Sequence, residues 1–211
     1  MLRRIIQRMK KQRLPLGLAL GLPVVLSACS LLPAAEPVQS WTLRPATTEN
    51  AGPVTVTDLQ VLRAQAQDLL SGRYLLVVPE AQPISVYSGQ RWSASIPTLW
   101  RDYLVSALQR DSRFARISSD AVRIDARYEL VSRIDAFQSE YRDGQPVAVM
   151  RGYLQLIDSH SRAIIAERTL ELSQPAEGVE VAAVVDAFSL LMAQASHEIR
   201  DWLLRVSPGR S

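Results

Sequence analysis

The stretch Ala126-Arg127-Tyr128-Glu129-Leu130-Val131-Ser132-Arg133-Ile134-Asp135-Ala136-Phe137 alternates over twelve positions. Tyr128, Leu130 and Ile134 share one side, and Arg127, Glu129, Arg133 and Asp135 the other. That period of two is the mark of a half-buried β-strand. After a turn-rich polar loop over 139–146, residues 147–157 and 163–172 form two further strand candidates around Asp158-Ser159-His160-Ser161. Three consecutive strands joined this way make an antiparallel meander, so a sheet is the base of the fold.

Working outward, 179–206 carries the helical period instead. With Phe188 as origin, Val181, Val184, Val185, Leu191, Met192, Ala195, Ile199, Trp202 and Leu203 lie within about 60° of it, whereas His197 falls on the opposite, wet side. Upstream, Ser95-Ile96-Pro97 supplies an N-cap and a first-turn proline for a helix reaching about Arg110. Its stripe is Pro97, Trp100, Leu104, Ala107 and Leu108, flanked by Ile96 and Tyr103. The apolar run 74–78, closed by Pro79, predicts a central strand buried on both faces. Short strands are expected at 41–43, at 84–87, stopped by Ser88-Gly89, and at 114–117, while 54–72 reads as an irregular connector with a helical turn. The predicted fold is α+β: a single domain with a mixed, mostly antiparallel sheet and two helices packed on one face. The chain has no repeat of 20 to 50 residues, which excludes solenoids and propellers.

The chain has 211 residues, 24 Lys+Arg against 21 Asp+Glu, net +3. Arg3, Arg4, Arg8, Lys10, Lys11 and Arg13 fall in the first 28 residues, which hold no acid; without those six, 18 basic groups face 21 acidic ones, net −3. The basic start is followed by an uncharged run over 14–25, broken by Pro23. It is too short for the roughly 20 residues of a membrane-spanning helix and has the three-part plan of a secretory signal. The next residues, Leu26-Ser27-Ala28-Cys29, resemble the lipobox of bacterial lipoproteins. That likeness implies a diacylglycerol on the Cys29 thiol, cleavage just before it, and acylation of the new amino group, with palmitate the expected chain. The organisation read from this is 1–28 a cleaved signal peptide, 29–40 the lipidated Cys and a flexible tether containing Pro33 and Pro37, 41–206 the folded domain, and 207–211 a tail. Ser30 stands where the enterobacterial sorting rule places an inner-membrane-retaining Asp, which implies the outer membrane, facing the periplasm.

A search for chemistry finds no reactive constellation. His160 sits in a hairpin turn and His197 on a wet helix face, and the sole Cys is assigned to lipid. His197-Glu198 begins like a zinc-protease helix, but Asp201 occupies the second histidine position. Neither a nucleophile elbow nor a phosphate-binding glycine loop occurs, and no Lys follows Lys11. No catalytic residue, metal or cofactor is therefore expected apart from the covalent lipid on Cys29, and the chain reads as a non-enzyme. The one basic trio, Arg110, Arg113 and Arg116, reads as ordinary surface with a phosphate or headgroup contact as the lesser alternative; no nucleic-acid partner is expected.

The most distinctive block is Val86-Tyr87-Ser88-Gly89-Gln90-Arg91-Trp92-Ser93, followed by Ile96-Pro97-Thr98-Leu99-Trp100-Arg101-Asp102 and Leu108-Gln109-Arg110-Asp111-Ser112-Arg113-Phe114. With Phe137-Gln138-Ser139-Glu140-Tyr141 and Asp143-Gly144-Gln145-Pro146, the chain resembles the ABC-type transport auxiliary lipoproteins, the PqiC-like family, from about Trp41 to Trp202. One departure is Arg73-Tyr74-Leu75-Leu76-Val77, where the family pattern has Arg-Ile-Ala-Val. The resemblance implies an α+β domain without a catalytic signature. It also implies as partners an MCE-domain protein, an ABC permease and an ATPase, and it leaves homo-oligomerisation open.

Tyr87, Arg91 and Trp92, the last placed in a loop before the helix cap, are the candidate contacts to the MCE partner or a neighbouring copy; core packing is the competing reading for Trp92. The expected function is a non-enzymatic subunit of an MCE-associated intermembrane lipid transport system, tethering or docking the complex at the outer membrane. The alternatives are a direct lipid carrier, which needs a tunnel of several hundred cubic ångströms, and an envelope-assembly scaffold.

Overall fold

The computed structural model describes residues 38–45 and 51–207, all within one compact unit, Pro37–Ser211. Cys29 and the stretches read above as signal peptide, lipobox and tether, as far as Pro37, lie outside the described residues. The strands are β1 (Gln39–Trp41), β2 (Val56–Val61), β3 (Tyr74–Val78), β4 (Ser85–Trp92), β5 (Phe114–Ser119), β6 (Tyr128–Arg142), β7 (Gln145–Asp158) and β8 (Ile164–Pro175); the helices are α1 (Ile96–Gln109) and α2 (Val181–Val206). They build an α+β fold on one eight-stranded mixed sheet.

The meander forms as expected: β6 pairs antiparallel with β7 along its whole length, and β7 with β8. The polar loop foreseen over 139–146 is instead mostly strand. Arg142 pairs with Gln145, leaving Asp143 and Gly144 as the turn. Both have positive φ, 53° and 73°, the geometry of a two-residue turn that matches strand twist and favours Asp-Gly. Glu140 tolerates the strand because Arg142 and Arg151 reach it at 3.0 Å each.

A bulge at Asp135, between Ile134 and Ala136, resets the alternation of β6. Even-numbered Ser132 and odd-numbered Phe137 consequently face the same helices: Trp100 Nε1 of α1 donates to Ser132 Oγ at 3.0 Å, and Phe137 meets Phe188 of α2 at 4.7 Å. Opposite the bulge, a Cβ on Gly152 would stand 2.7 Å from the Arg133 carbonyl oxygen. Only glycine fits there without movement of the backbone.

The other edge of β6 is divided. Its first residues carry β2 in parallel (Leu59↔Tyr128), followed by β5; its last carry β3 in parallel (Val77↔Ser139), followed by β4 and then β1. Between the two branches lies one isolated bridge, Gln65↔Arg133. The connector expected at 54–72 therefore contains a true strand, β2, before its 3-10 turn, Asp68–Ser71. The alternation of β2 is broken because Asp58 has φ 57°, facing Arg116 of β5 with φ 53°; an ion pair joins the two side chains across the irregularity. Likewise Ser88-Gly89 does not end β4. Gly89, at φ 68°, lies in a bulge through which the strand continues to Trp92.

Both helices bury the stripes their periodicity predicts, except that Val181 is only half-buried. Three rings join α2 to the sheet. Trp92 lies 5.3 Å from Phe188 and 5.7 Å from Phe137, and the tilted arrangement suits aromatic quadrupoles.

Candidate functional site

The three candidate contact residues do not converge on one exposed surface. Trp92 is the last residue of β4 rather than part of a loop, and it is fully buried, 0% exposed, between Phe137 and Phe188. Its ring serves packing and is closed to a partner. Tyr87 is half-buried and turned onto β6, with its hydroxyl 3.3 Å from Ser139 Oγ; burial pushes its pKa up to about 12. Arg91 is exposed, but its Nε donates to Ser40 Oγ at 3.0 Å. Next to it, Trp41 Nε1 donates to Gln90 Oε1 at 2.6 Å. Gln90 and Arg91 thus clasp β1, the first strand of the sheet in chain order.

The Arg110, Arg113 and Arg116 trio is not a free basic patch. Arg113 forms a two-pronged pair with Asp111, Nε at 2.8 Å and Nη2 at 2.6 Å, and Arg116 pairs with Asp58. His197 stands on the wet face as expected, 3.4 Å from Asp201. Among the described residues no three His, Cys, Asp or Glu side chains gather as metal ligands.

Sequence reasoning missed Arg200. It lies about 120° from Phe188 at helical pitch, outside the apolar arc, yet it is 1% exposed. Its Nε is 3.7 Å from Oδ2 of Asp111, itself fully buried just beyond α1. The pair ties the end of one helix to the flank of the other, a tertiary relation that no single-helix pattern reveals.

A groove of about 810 Å³ lies where the sheet divides. Residues 65–70 form one wall, and 133–135 with Gln138 the other; Ile84 also lines it. Arg133 and Asp135 pair at 2.8 Å, which pushes the guanidinium pKa further up. The Arg133 side chain also lies over the Tyr153 ring, 5.6 Å from its centre. The groove therefore presents side-chain amides, the Asp68 carboxylate, a self-neutralised ion pair and a few apolar groups. It is an open cleft at a sheet edge, whereas the interior between helices and sheet is filled by the Trp92, Phe137 and Phe188 cluster. Among the described residues no helix is long and apolar enough to cross a membrane.

Comparison with known proteins agrees with this architecture. A solved structure of protein XCC0632 from Xanthomonas campestris superposes with a TM-score of 0.73 at 22% identity, covering 80% of this chain and 96% of that one. The hypothetical protein CT253 from Chlamydia trachomatis gives 0.53 at 10% identity, covering 72% and 98%. At these identities the likeness shows the fold. No functionally curated protein matches the sequence. Residues 41–200, most of the chain, match the sequence profile described as the ABC-type transport auxiliary lipoprotein component. With the ordered blocks between Val86 and Pro146 inside that match, the chain belongs to the family of ABC-type transport auxiliary lipoproteins.

Proposed function

We propose that this protein is a non-enzymatic lipoprotein subunit of an ABC-type, MCE-associated intermembrane lipid transport system. Acyl chains on Cys29 hold it on the periplasmic side of the outer membrane, where it docks the transporter's periplasmic end. The observation that carries this reading is a stretch resembling a lipobox, Leu26-Ser27-Ala28-Cys29, ahead of a domain of the auxiliary lipoprotein family in one chain. Two or more acyl chains suffice for stable anchoring at about 0.8 kcal/mol per buried methylene. Between Cys29 and the first strand at Gln39, the tether spans at most about 35 Å. The filled interior favours a tether or dock over a carrier that encloses lipid.

The test is crosslinking and mass spectrometry on native membranes. A terminal peptide beginning at acylated Cys29 and crosslinks to an MCE-domain protein are the expected products, and Cys29→Ser should release the protein from the membrane fraction. Gene deletion that leaves both outer-membrane lipid asymmetry and detergent sensitivity unchanged would refute the transport role.

A further inference from the structure

We infer that the groove beside β6 is a docking site for an extended polypeptide segment bearing a basic residue, which on binding fills the gap between β2 and β3. The inference rests on the docking reading above for where the segment comes from; the peptide chemistry stands on the groove itself.

The gap has the dimensions of a short strand. β2 leaves β6 at Val61↔Leu130 and β3 joins it at Val77↔Ser139, both parallel to β6. Gln65 meets Arg133 between them, after which the chain turns away through the 3-10 segment Asp68–Ser71. Residues 134–138 of β6 have no registered partner in β2 or β3 on this side. Between the registered positions Arg133 and Ser139 the edge measures about 20 Å at roughly 3.3 Å per residue, a stretch of five β6 residues without a registered partner. Adding a strand at such an edge supplies main-chain hydrogen bonds, and side-chain pockets then give selectivity.

The lining matches a peptide better than an acyl chain. The amides of Gln65, Gln67 and Gln138 offer both donors and acceptors suited to peptide groups. Leu69 and Ile84 are 37% and 43% exposed and can receive alternate apolar side chains. Arg133 neutralises Asp135, while Asp68 has no ion pair among the described residues, so the groove keeps one negative charge. That charge selects a Lys or Arg in the segment.

The experiment screens a library of capped linear octapeptides against the full chain purified in a maltoside detergent. Enriched peptides are expected to alternate apolar residues around a Lys or Arg, and their binding should slow amide exchange at 135–138. Asp68→Arg and Ile84→Glu, both surface changes, should each weaken binding at least tenfold with the melting temperature unchanged. The inference is overturned if no peptide is enriched, if neither substitution changes peptide affinity, or if dihexanoyl-phosphatidylcholine protects 135–138 where peptides do not. A failed screen leaves the transport reading intact; a deletion without an envelope phenotype removes that reading and leaves peptide binding measurable.

Discussion

The buried pair between Asp111 and Arg200 makes an asymmetric prediction. Asp111 is fully buried and faces two guanidinium groups: Arg113 at 2.6 and 2.8 Å, partly exposed, and Arg200 at 3.7 Å, with its side chain 2% exposed. Asp111→Asn keeps the shape but strands the Arg200 charge in the interior. Breaking a buried pair from one side costs about 3 to 5 kcal/mol; the isosteric change, which retains one acceptor oxygen, belongs at about 3. Arg200→Met removes the other partner, yet Asp111 keeps Arg113 and the apolar side chain fills most of the space. That substitution should cost below about 1.5 kcal/mol, as for a volume-conserving exchange. In the double variant no charge is stranded, so it should be more stable than Asp111→Asn alone by roughly 2 kcal/mol. The assay is thermal and urea unfolding of the chain from Pro37 onward. At about 2 to 4 °C per kcal/mol for this size, Asp111→Asn should melt roughly 6 to 12 °C low and the double variant should recover most of that loss. The reasoning fails if the double variant is no more stable than Asp111→Asn, or if Arg200→Met costs as much as Asp111→Asn.

Further outcomes follow from other sites. Gly152→Ala drives a Cβ against the Arg133 carbonyl at 2.7 Å and should lower stability by about 1 to 3 kcal/mol, read as a lower urea midpoint at unchanged slope. Gly144→Ala meets nothing within 4 Å and should cost only about 1 kcal/mol, from its positive φ; Gly144→Asn should cost less. Burial alone would raise the Glu140 pKa, but hydrogen bonds from Arg142, Arg151 and Gln138 outweigh it and hold the carboxyl below its ordinary value. Its contribution is therefore complete above the unfolded pKa and is lost as pH falls through the folded one. Glu140→Gln should make stability less steep in pH below about 4, and an unchanged acid limb would contradict this. Trp92→Ala should lower stability by about 3 to 5 kcal/mol, and a variant of wild-type stability would return Trp92 to the candidate contacts.

Helices were legible where one face alone decides burial, as in the stripes through Trp100 and Phe188. Legibility failed where the backbone leaves regular geometry. Asp58 interrupts β2 and hides its strand period, and Gly89 reads as a stop although it is a bulge inside β4. That second misreading put Trp92 in a loop and offered it to a partner. Charges also mislead when their compensation comes from a distant segment: Glu140 reads as loop although Arg151 of β7 stands beside it, and Arg200 lies outside the apolar arc of α2 although it is buried beside Asp111. The groove could not be read from sequence at all, because it is the space between two strands whose pairing partners lie some sixty to seventy residues away in the chain.

That same division of the β6 edge sets an order of assembly. The β6–β7 hairpin closes over two residues and β8 follows through another short turn, whereas β2 and β3 must each find β6 across some sixty to seventy residues. Loop closure of that length is slower and entropically dearer than a tight turn. The C-terminal meander is thus the natural nucleus, and the N-terminal strands condense on it afterwards. On the export and acylation proposed above, the chain would emerge with Cys29 first and this nucleus last, so that residue would be presented before the domain has a sheet on which to fold.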